Sequence, residues 1–308
     1  MPKENGLFYG PTEDSFRFLQ KGVPVEPAST LYEHAVDVLK SAQALSRESS
    51  IGVTEADWTP VVSDPDKPLA ILLATDIHFG GIHTDYDLLG KHLDIVEDTP
   101  NFSMVTNGDD VDNFTVTGKW ATGTYENPLP PQLQTKAMIE RLQRIDKKDK
   151  LGAMSFGNHN NFLFSSGYDW LETFAQDMKA SIFTSGGLLH IHYGNQDYDL
   201  AMTHKYWGNS KLNPTNSCKR FLEHEHPNAD IVFLGHTHQS ELLRFERAGK
   251  ERIGVIGGTY KLEDSWARQN GIGGRAGHPG ITVLLYPKEH KIVAFKNIED
   301  AKTFMEGL

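Results

Sequence analysis

Cysteine is nearly absent from this chain. Cys218 is the only one in 308 residues. No intramolecular disulfide can form, and the usage fits a reducing cytoplasm. Long apolar runs are missing as well. The longest, Leu69 to Ala74, is far short of the roughly 20 residues that cross a bilayer, so no membrane span is expected. No apolar stretch follows Met1-Pro2-Lys3-Glu4-Asn5, and no signal peptide is expected. Positive charge is in deficit: 30 Lys and Arg against 41 Asp and Glu give a formal net charge of −11. A general nucleic-acid coat protein is basic, so the charge disfavours tight, sequence-independent duplex binding. The acidity leaves a nuclease open, because ligand carboxylates are neutralised by bound cations. The chain also lacks repeats and low-complexity tracts.

What is present reads as an ordinary globular protein, with 38% hydrophobic and 23% charged residues. Its length suffices for one large α/β domain or two small ones. Thr30-Leu31-Tyr32-Glu33 has capping-box spacing, and Leu31, His34, Ala35, Val38, Leu39 and Ala42 recur at helical spacing. A helix is expected over about 31–46. Residues 48–68 contain Ser, Gly and three prolines and read as a loop. Residues 1–68 are therefore taken as an N-terminal extension with one helix and a linker, and 69–308 as the main domain. Within it, Leu69–Thr75 has the unbroken apolar character of a strand buried on both faces. Further strands are expected at 102–106, 151–156, 188–193, 198–203 and 230–234. Helices are expected at 84–96, 131–145, 168–178 and 215–224. The tail turns to β structure at 241–247, 252–257, 281–286 and 292–296. Strands alternating with helices, then a β-rich tail, predict an α/β fold of two packed sheets flanked by helices.

Five fragments end apolar runs: Asp76-Ile77-His78, Gly108-Asp109-Asp110-Val111-Asp112, Gly157-Asn158-His159, the single His204, and Gly235-His236-Thr237-His238. Each stands just past an expected strand, where open α/β sheets bind ligands. In an extended segment residues i and i+2 point the same way, so Asp76 and His78 can face one ion. Asp109 can bridge two cations, since a carboxylate has two oxygens to share. Asn158 offers a neutral carbonyl oxygen, and His159 is a candidate proton donor with a reference pKa near ~6.5. His236 and His238 can address two ions from one extended turn. Each fragment alone also reads as an Asp-, Asn- or Gly-rich turn. Together they supply the carboxylates, imidazoles and amide that hold two divalent cations side by side. Five of the 14 histidines lie in these fragments. Others, such as His34, His92, His190, His224 and His290, lack that context and read as structural or exposed.

The ordered set D-x-H, G-D-x-x-D, G-N-H, H and G-H-x-H resembles the calcineurin-like metallophosphoesterase superfamily, over about residues 69 to 240. The resemblance implies the four-layer αββα arrangement of two mixed sheets, with the β-rich tail in the second sheet. It implies a first metal on Asp76, His78 and His238 and a second on Asn158, His204 and His236, with Asp109 bridging. Manganese is the first expectation, and iron, zinc, nickel and magnesium are the others. His159 matches the family's non-ligand histidine near the leaving group, and Asp112 the carboxylate that orients it. The implied reaction is attack on a phosphoester by a hydroxide that bridges the two ions. The protein phosphatase branch resembles this set but carries arginines beside its second and third motifs, where this chain has Asn113 and Phe156. The repair-nuclease branch usually has a histidine where Asp112 stands. Asn160 replaces the acidic residue that commonly follows G-N-H.

Substrate contacts are sought in two glycine-rich loops, Gly257–Lys261 and Gly271–His278, with Lys261 and Arg275 as the phosphate-binding candidates. The stretch Thr115–Pro131, with Trp120, Tyr125 and three prolines, is a candidate lid. His204-Lys205-Tyr206-Trp207 sets aromatics and a cation beside a candidate ligand. These features favour a phosphodiester of a nucleotide or nucleic acid. The alternatives are a phosphomonoesterase and a non-catalytic metal-binding scaffold.

Overall fold

Leu69–Ala74 is buried at every position, and the computed structural model shows what covers each face. The structure describes residues 35–41, 54–116, 121–162, 178–208, 213–262 and 279–308. The strand (β2, Leu69–Ala74) lies inside a six-stranded sheet. Leu69, Ile71 and Leu73 enter a core shared with Leu189, Ile191, Leu200, Phe233 and Val255 of a second sheet. Ala70, Leu72 and Ala74 enter another core with Leu93, Val96, Met138, Leu142 and Ile298 of helices. The period-2 alternation of a strand sends its odd and even side chains into different cores. That is why the run is apolar throughout.

The first sheet has the order β12-β11-β2-β3-β4-β5, with β3 Phe102–Asn107, β4 Leu151–Ser155, β5 Ser181–Phe183, β11 Thr282–Leu285 and β12 Ile292–Phe295. The pairs among β2, β3, β4 and β5 are parallel, and those at β11 are antiparallel. The second sheet has the order β1-β6-β7-β8-β10-β9, with β1 Glu55–Trp58, β6 Gly187–Tyr193, β7 Gln196–Thr203, β8 Ile231–Leu234, β9 Glu241–Arg247 and β10 Lys250–Ile256. It too is mixed. Helices α1 (Tyr86–Asp98), α2 (Pro131–Lys147) and α4 (Ile298–Glu306) cover the first sheet. Helix α3 (Asn216–His224) covers the second with Cys218, Phe221 and Leu222. Burial pushes the Cys218 thiol up, so it behaves as a small apolar side chain. The layers run helices, sheet, sheet, helix, as expected.

Several details differ from the sequence reading. Residues 48–68 are not all loop, because β1 pairs in parallel with β6 from Glu55↔Leu188 to Trp58↔Ile191. Glu55–Trp58 has no apolar alternation, so only its partner strand makes it a strand. The short edge strand β5 was likewise unmarked. Helix α4 did carry a signal: the Asn297 side chain caps it, accepting from the Asp300 amide at 2.7 Å. The β6–β7 hairpin turn is shorter than expected, just Gly194-Asn195, with Gly194 at φ +64°. The chain divides into the units Met1–Ser50 and Ile51–Leu308. Of the expected helix at 31–46, residues 35–41 are described and are helical. The expected helix at 168–178 lies outside the described residues except for its last position.

Helices α1 and α2 are joined through Glu97, which is buried and receives Arg141, Arg144 (3.1 Å) and Lys148 (3.0 Å). Burial raises this carboxyl, but the three cations outweigh it and hold it down to about 2. A depressed acid stabilises the fold above its unfolded pKa and loses that contribution as pH falls through the folded one. Glu97→Gln is therefore expected to cost about 1–3 kcal/mol at neutral pH. Urea melts of parent and variant should converge as pH drops from about 4.5 toward 2. A pH-independent gap would refute the electrostatic account.

Candidate metal centre

The strand ends deliver the five fragments to one place. β2, β3 and β4 of the first sheet end at Asp76–His78, Gly108–Asp112 and Gly157–His159, and β7 and β8 of the second end at His204 and Gly235–His238. Backbone hydrogen bonds lace the loops together. The Asp76 amide donates to Gly108 O (3.1 Å), His78 to Asp109 O (2.9 Å) and Gly235 to His204 O (3.0 Å). Gly157 must be glycine, since a Cβ there would overlap the Asp109 carboxylate. Gly108 combines φ +80° with the same tight approach to Gly157.

The expected extended i, i+2 geometry is not what aims these side chains. Asp76 (φ 49°), His78 (52°), Asp109 (53°), Asn113 (50°), His236 (71°) and His238 (57°) all lie in the left-handed region. Such a conformation costs a non-glycine residue roughly 1–3 kcal/mol, and it persists only where surrounding structure enforces it. Six of the nine described non-glycine residues with positive φ fall in these loops. Strain is thus concentrated where the donors converge.

The donors form linked triplets. Asp76, His78 and His238 bring their ligand atoms within 4.8 Å of one another, as do Asp109, His204 and His236. His78, Asp109 and His159 form a third such group that joins the two. His78 Nε2 faces His238 Nε2 at 3.0 Å, and His238 Nε2 lies 3.3 Å from Asp76 Oδ1. His204 Nε2 lies 3.0 Å from Asp109 Oδ2. His236 and His238, two residues apart, serve different triplets. The buried Asp76 Oδ1 and Asn158 Oδ1 have no hydrogen-bond partner. Uncompensated buried oxygens cost about 1–3 kcal/mol each, and cations coordinated by these Asp, Asn and His groups would satisfy them. The donor set therefore fits divalent metal ions.

The surrounding groups fix which nitrogen faces inward. His78 Nδ1 donates to Asp112 Oδ1 (2.8 Å) and His204 Nδ1 to Asn107 O (2.7 Å), which turns Nε2 of each inward. His159 Nδ1 donates to the Asp112 main-chain carbonyl at 2.6 Å. The Asp112 carboxylate, expected to orient His159, is 3.9 Å from Nδ1 and holds His78 instead. Lys261, expected to meet substrate phosphate, is 4% exposed and donates to both Asp112 oxygens, at 2.9 and 3.2 Å. Its charge is used inside the protein. Asn127 Nδ2 also donates to Asp112 Oδ2, at 2.9 Å. Arg275 and the loop 271–278 lie outside the described residues. Of the candidate lid, residues 121–126 form a 3-10 helix with Tyr125 90% exposed.

Charge balance in the cluster is strongly biased. Burial raises the Asp76 carboxyl, yet His204 and His238 bring it down to about 2. Asp109 is buried too, but His204 and His159 hold it well below the usual carboxylate range. Burial disfavours charge on His204, but Asp109 and Asp76 win and push it up to about 10. Burial draws His78 and His236 down to about 4. Asp110, which the sequence reading passed over, is pushed up to about 7 by burial and the neighbouring Asp109 charge.

Asn107 and Asn160 were missed as parts of the site. Asn107 Nδ2 donates to Thr203 O (3.0 Å) and Phe233 O (2.9 Å), tying the end of β3 to β7 and β8 in the other sheet. Its main-chain carbonyl accepts from His204 Nδ1. Asn160 Oδ1 accepts from the amides of Gly157 (2.6 Å) and Asp109 (3.4 Å), so it closes the second and third motif loops on each other. A residue that accepts from two amides explains why a neutral amide serves where an acid is common. Asn107→Ala leaves two buried carbonyls unpaired and is expected to cost about 2–4 kcal/mol in urea denaturation. A loss below about 0.5 kcal/mol would show that the two sheets need no such clamp.

A family model described as calcineurin-like phosphoesterase matches residues 69–240, more than half of the chain. The chain belongs to that family. It is accordingly a metal-dependent phosphoester hydrolase by family. No curated protein matches it by sequence. Among solved structures, a metallophosphoesterase from Sphaerobacter thermophilus is 12% identical, with 78% of this chain and 94% of that one covered and a TM-score of 0.37. Vps29 from Entamoeba histolytica, complexed with zinc, is 10% identical, with 74% and 97% covered and a TM-score of 0.35. A predicted phosphoesterase from Streptococcus pneumoniae is 12% identical, with 75% and 98% covered and a TM-score of 0.34. No helix among the described residues is long and apolar enough to cross a membrane.

Proposed function

We propose that this calcineurin-like phosphoesterase hydrolyses a phosphodiester of a nucleotide or nucleic acid at a two-metal centre in the cytoplasm. The observation that carries the reading is the pair of donor triplets joined through Asp109 and His78. Asp76, His78 and His238 would hold one ion, and Asn158, His204 and His236 the other, with Asp109 between them. Bound there, two divalent cations, manganese first, supply Lewis acidity and neutralise charge on the phosphoryl group.

The chain's own groups do the rest. Asp112 and Asn107 keep His78 and His204 in the tautomer that presents Nε2. Burial raises the Asp112 carboxyl, but the His78 hydrogen bond and the Lys261 charge outweigh it and keep Asp112 ionised as an acceptor. The Asp112 carbonyl fixes His159 through Nδ1, which leaves Nε2 to carry a proton to the leaving oxygen. A monoester carries about −1.5 to −2 charge near pH 7, whereas a diester carries one. The positions that bear arginine in the protein phosphatase branch hold buried Asn113 and Phe156, and Lys261 is engaged by Asp112. That shortage of cationic grips among the described residues favours the singly charged diester.

The test is hydrolysis of bis-p-nitrophenyl phosphate against p-nitrophenyl phosphate by the manganese-loaded protein. Faster diester turnover is expected. Preference for the monoester makes the chain a monoesterase, and a metal-loaded protein inert on both supports the scaffold reading.

A further inference from the structure

Trp207 is a large aromatic residue held rigidly yet 56% exposed. It follows His204 by three residues, so the two Cα atoms lie within about 11 Å. The Arg220 guanidinium carbon sits 4.4 Å from the indole centroid. The His224 ring stacks on the same indole at 5.7 Å and 24°. Arg220 and His224 are one turn apart on α3 and share one helix face, so the indole packs on that face of the helix. Gly208, at φ +100°, lets Arg220 approach, since a Cβ there would sit 2.8 Å from its Cδ. Tyr206 leans on the indole at 5.8 Å and is itself fixed by its hydroxyl, which donates to Glu225 at 3.0 Å. More than half of Trp207 stays exposed, and Lys205, two residues before it, is exposed too.

A flat, preformed aromatic surface with a cation behind it and another beside it matches a nucleobase attached to a phosphate. A protein-binding hot spot would sit in an apolar surround, whereas the groups against this indole are Arg220, His224 and the hydrogen-bonded Tyr206, with Lys205 two residues before it. The net charge of −11 opposes a long polyanion. We propose that Trp207 stacks the base of a mononucleoside phosphodiester whose phosphate lies at the donor triplets, which makes Trp207 a specificity-determining residue. This rests on the phosphodiesterase reading above and narrows its substrate.

Two esters with the same leaving group separate the inference from that reading: thymidine 5′-(p-nitrophenyl) phosphate, which carries a base, and methyl p-nitrophenyl phosphate, which does not. In the manganese-loaded full chain, kcat/KM for the nucleoside ester should exceed that for the methyl ester roughly tenfold or more, mainly through KM. Trp207→Ala should bring the ratio toward one, and Trp207→Phe should restore part of it. A ratio that Trp207→Ala does not move, or a parent ratio near one, overturns the inference while leaving the hydrolytic reading intact. Faster cleavage of single-stranded oligothymidylate than of the mononucleoside ester overturns the substrate class. Failure to hydrolyse either ester brings down the phosphodiesterase reading and this inference together.

Discussion

His159→Gln is expected to lower turnover by about 10²–10⁴-fold while leaving the metal content as in the parent. The imidazole is placed for proton transfer by a single strong contact, Nδ1 to the Asp112 carbonyl at 2.6 Å. It is also set by its neighbours: Phe114 meets it edge-on at 5.1 Å and Phe162 at 4.7 Å. Glutamine keeps a hydrogen-bonding amide of similar reach but has no proton to give near neutral pH. The loss should depend on the leaving group. p-Nitrophenolate departs without protonation, so the variant should retain more activity on bis-p-nitrophenyl phosphate than on a diester with an alkyl leaving group. Equal losses on both esters would point to a positioning role in place of acid catalysis. A drop in bound metal would make His159 a ligand, a role its place in the third donor triplet makes worth measuring.

Asp109→Asn is the second large effect. Asp109 contributes to two of the three triplets, and its Oδ1 also accepts the His159 amide at 2.8 Å. An asparagine of the same shape keeps that acceptor but removes the charge that draws the cluster together. Elemental analysis should fall from about two ions per chain to one or none, with activity lost in parallel. A variant still holding both ions would refute the bridging role. In the metal-free protein the proton on His204 is held by Asp109 and Asp76. Ion uptake at neutral pH should therefore release a proton, detectable as a buffer-dependent heat in calorimetry.

The strand ends could be read from the sequence because each is local. A buried run such as Leu69–Ala74 followed by polar residues marks where backbone leaves the core, whatever the rest of the chain does. Cap chemistry at Asn297 was equally local and was overlooked. The strand Glu55–Trp58 was not legible, because it is a strand only by virtue of β6, whose paired residues lie 133 positions away in the chain. The same division runs through the site. Residue types at Asp76, His78, Asp109, Asn158, His159, His204, His236 and His238 announce metal and proton chemistry through their donor atoms alone.

Tertiary structure decided what each donor faces. It put His236 and His238 in different triplets by left-handed backbone rather than by pleat. It gave the Asp112 carboxylate to His78, and it drew Lys261 inward onto Asp112. It made Asn107 the clamp between sheets and packed the indole of Trp207 on Arg220 and His224 of α3. The sequence by itself determined the ligand chemistry and the order of the layers, because donor type and apolar period are properties of single residues and short segments. Partner assignment waited on the fold, because a hydrogen bond or an ion pair belongs to two residues that only long-range packing brings within 3 Å.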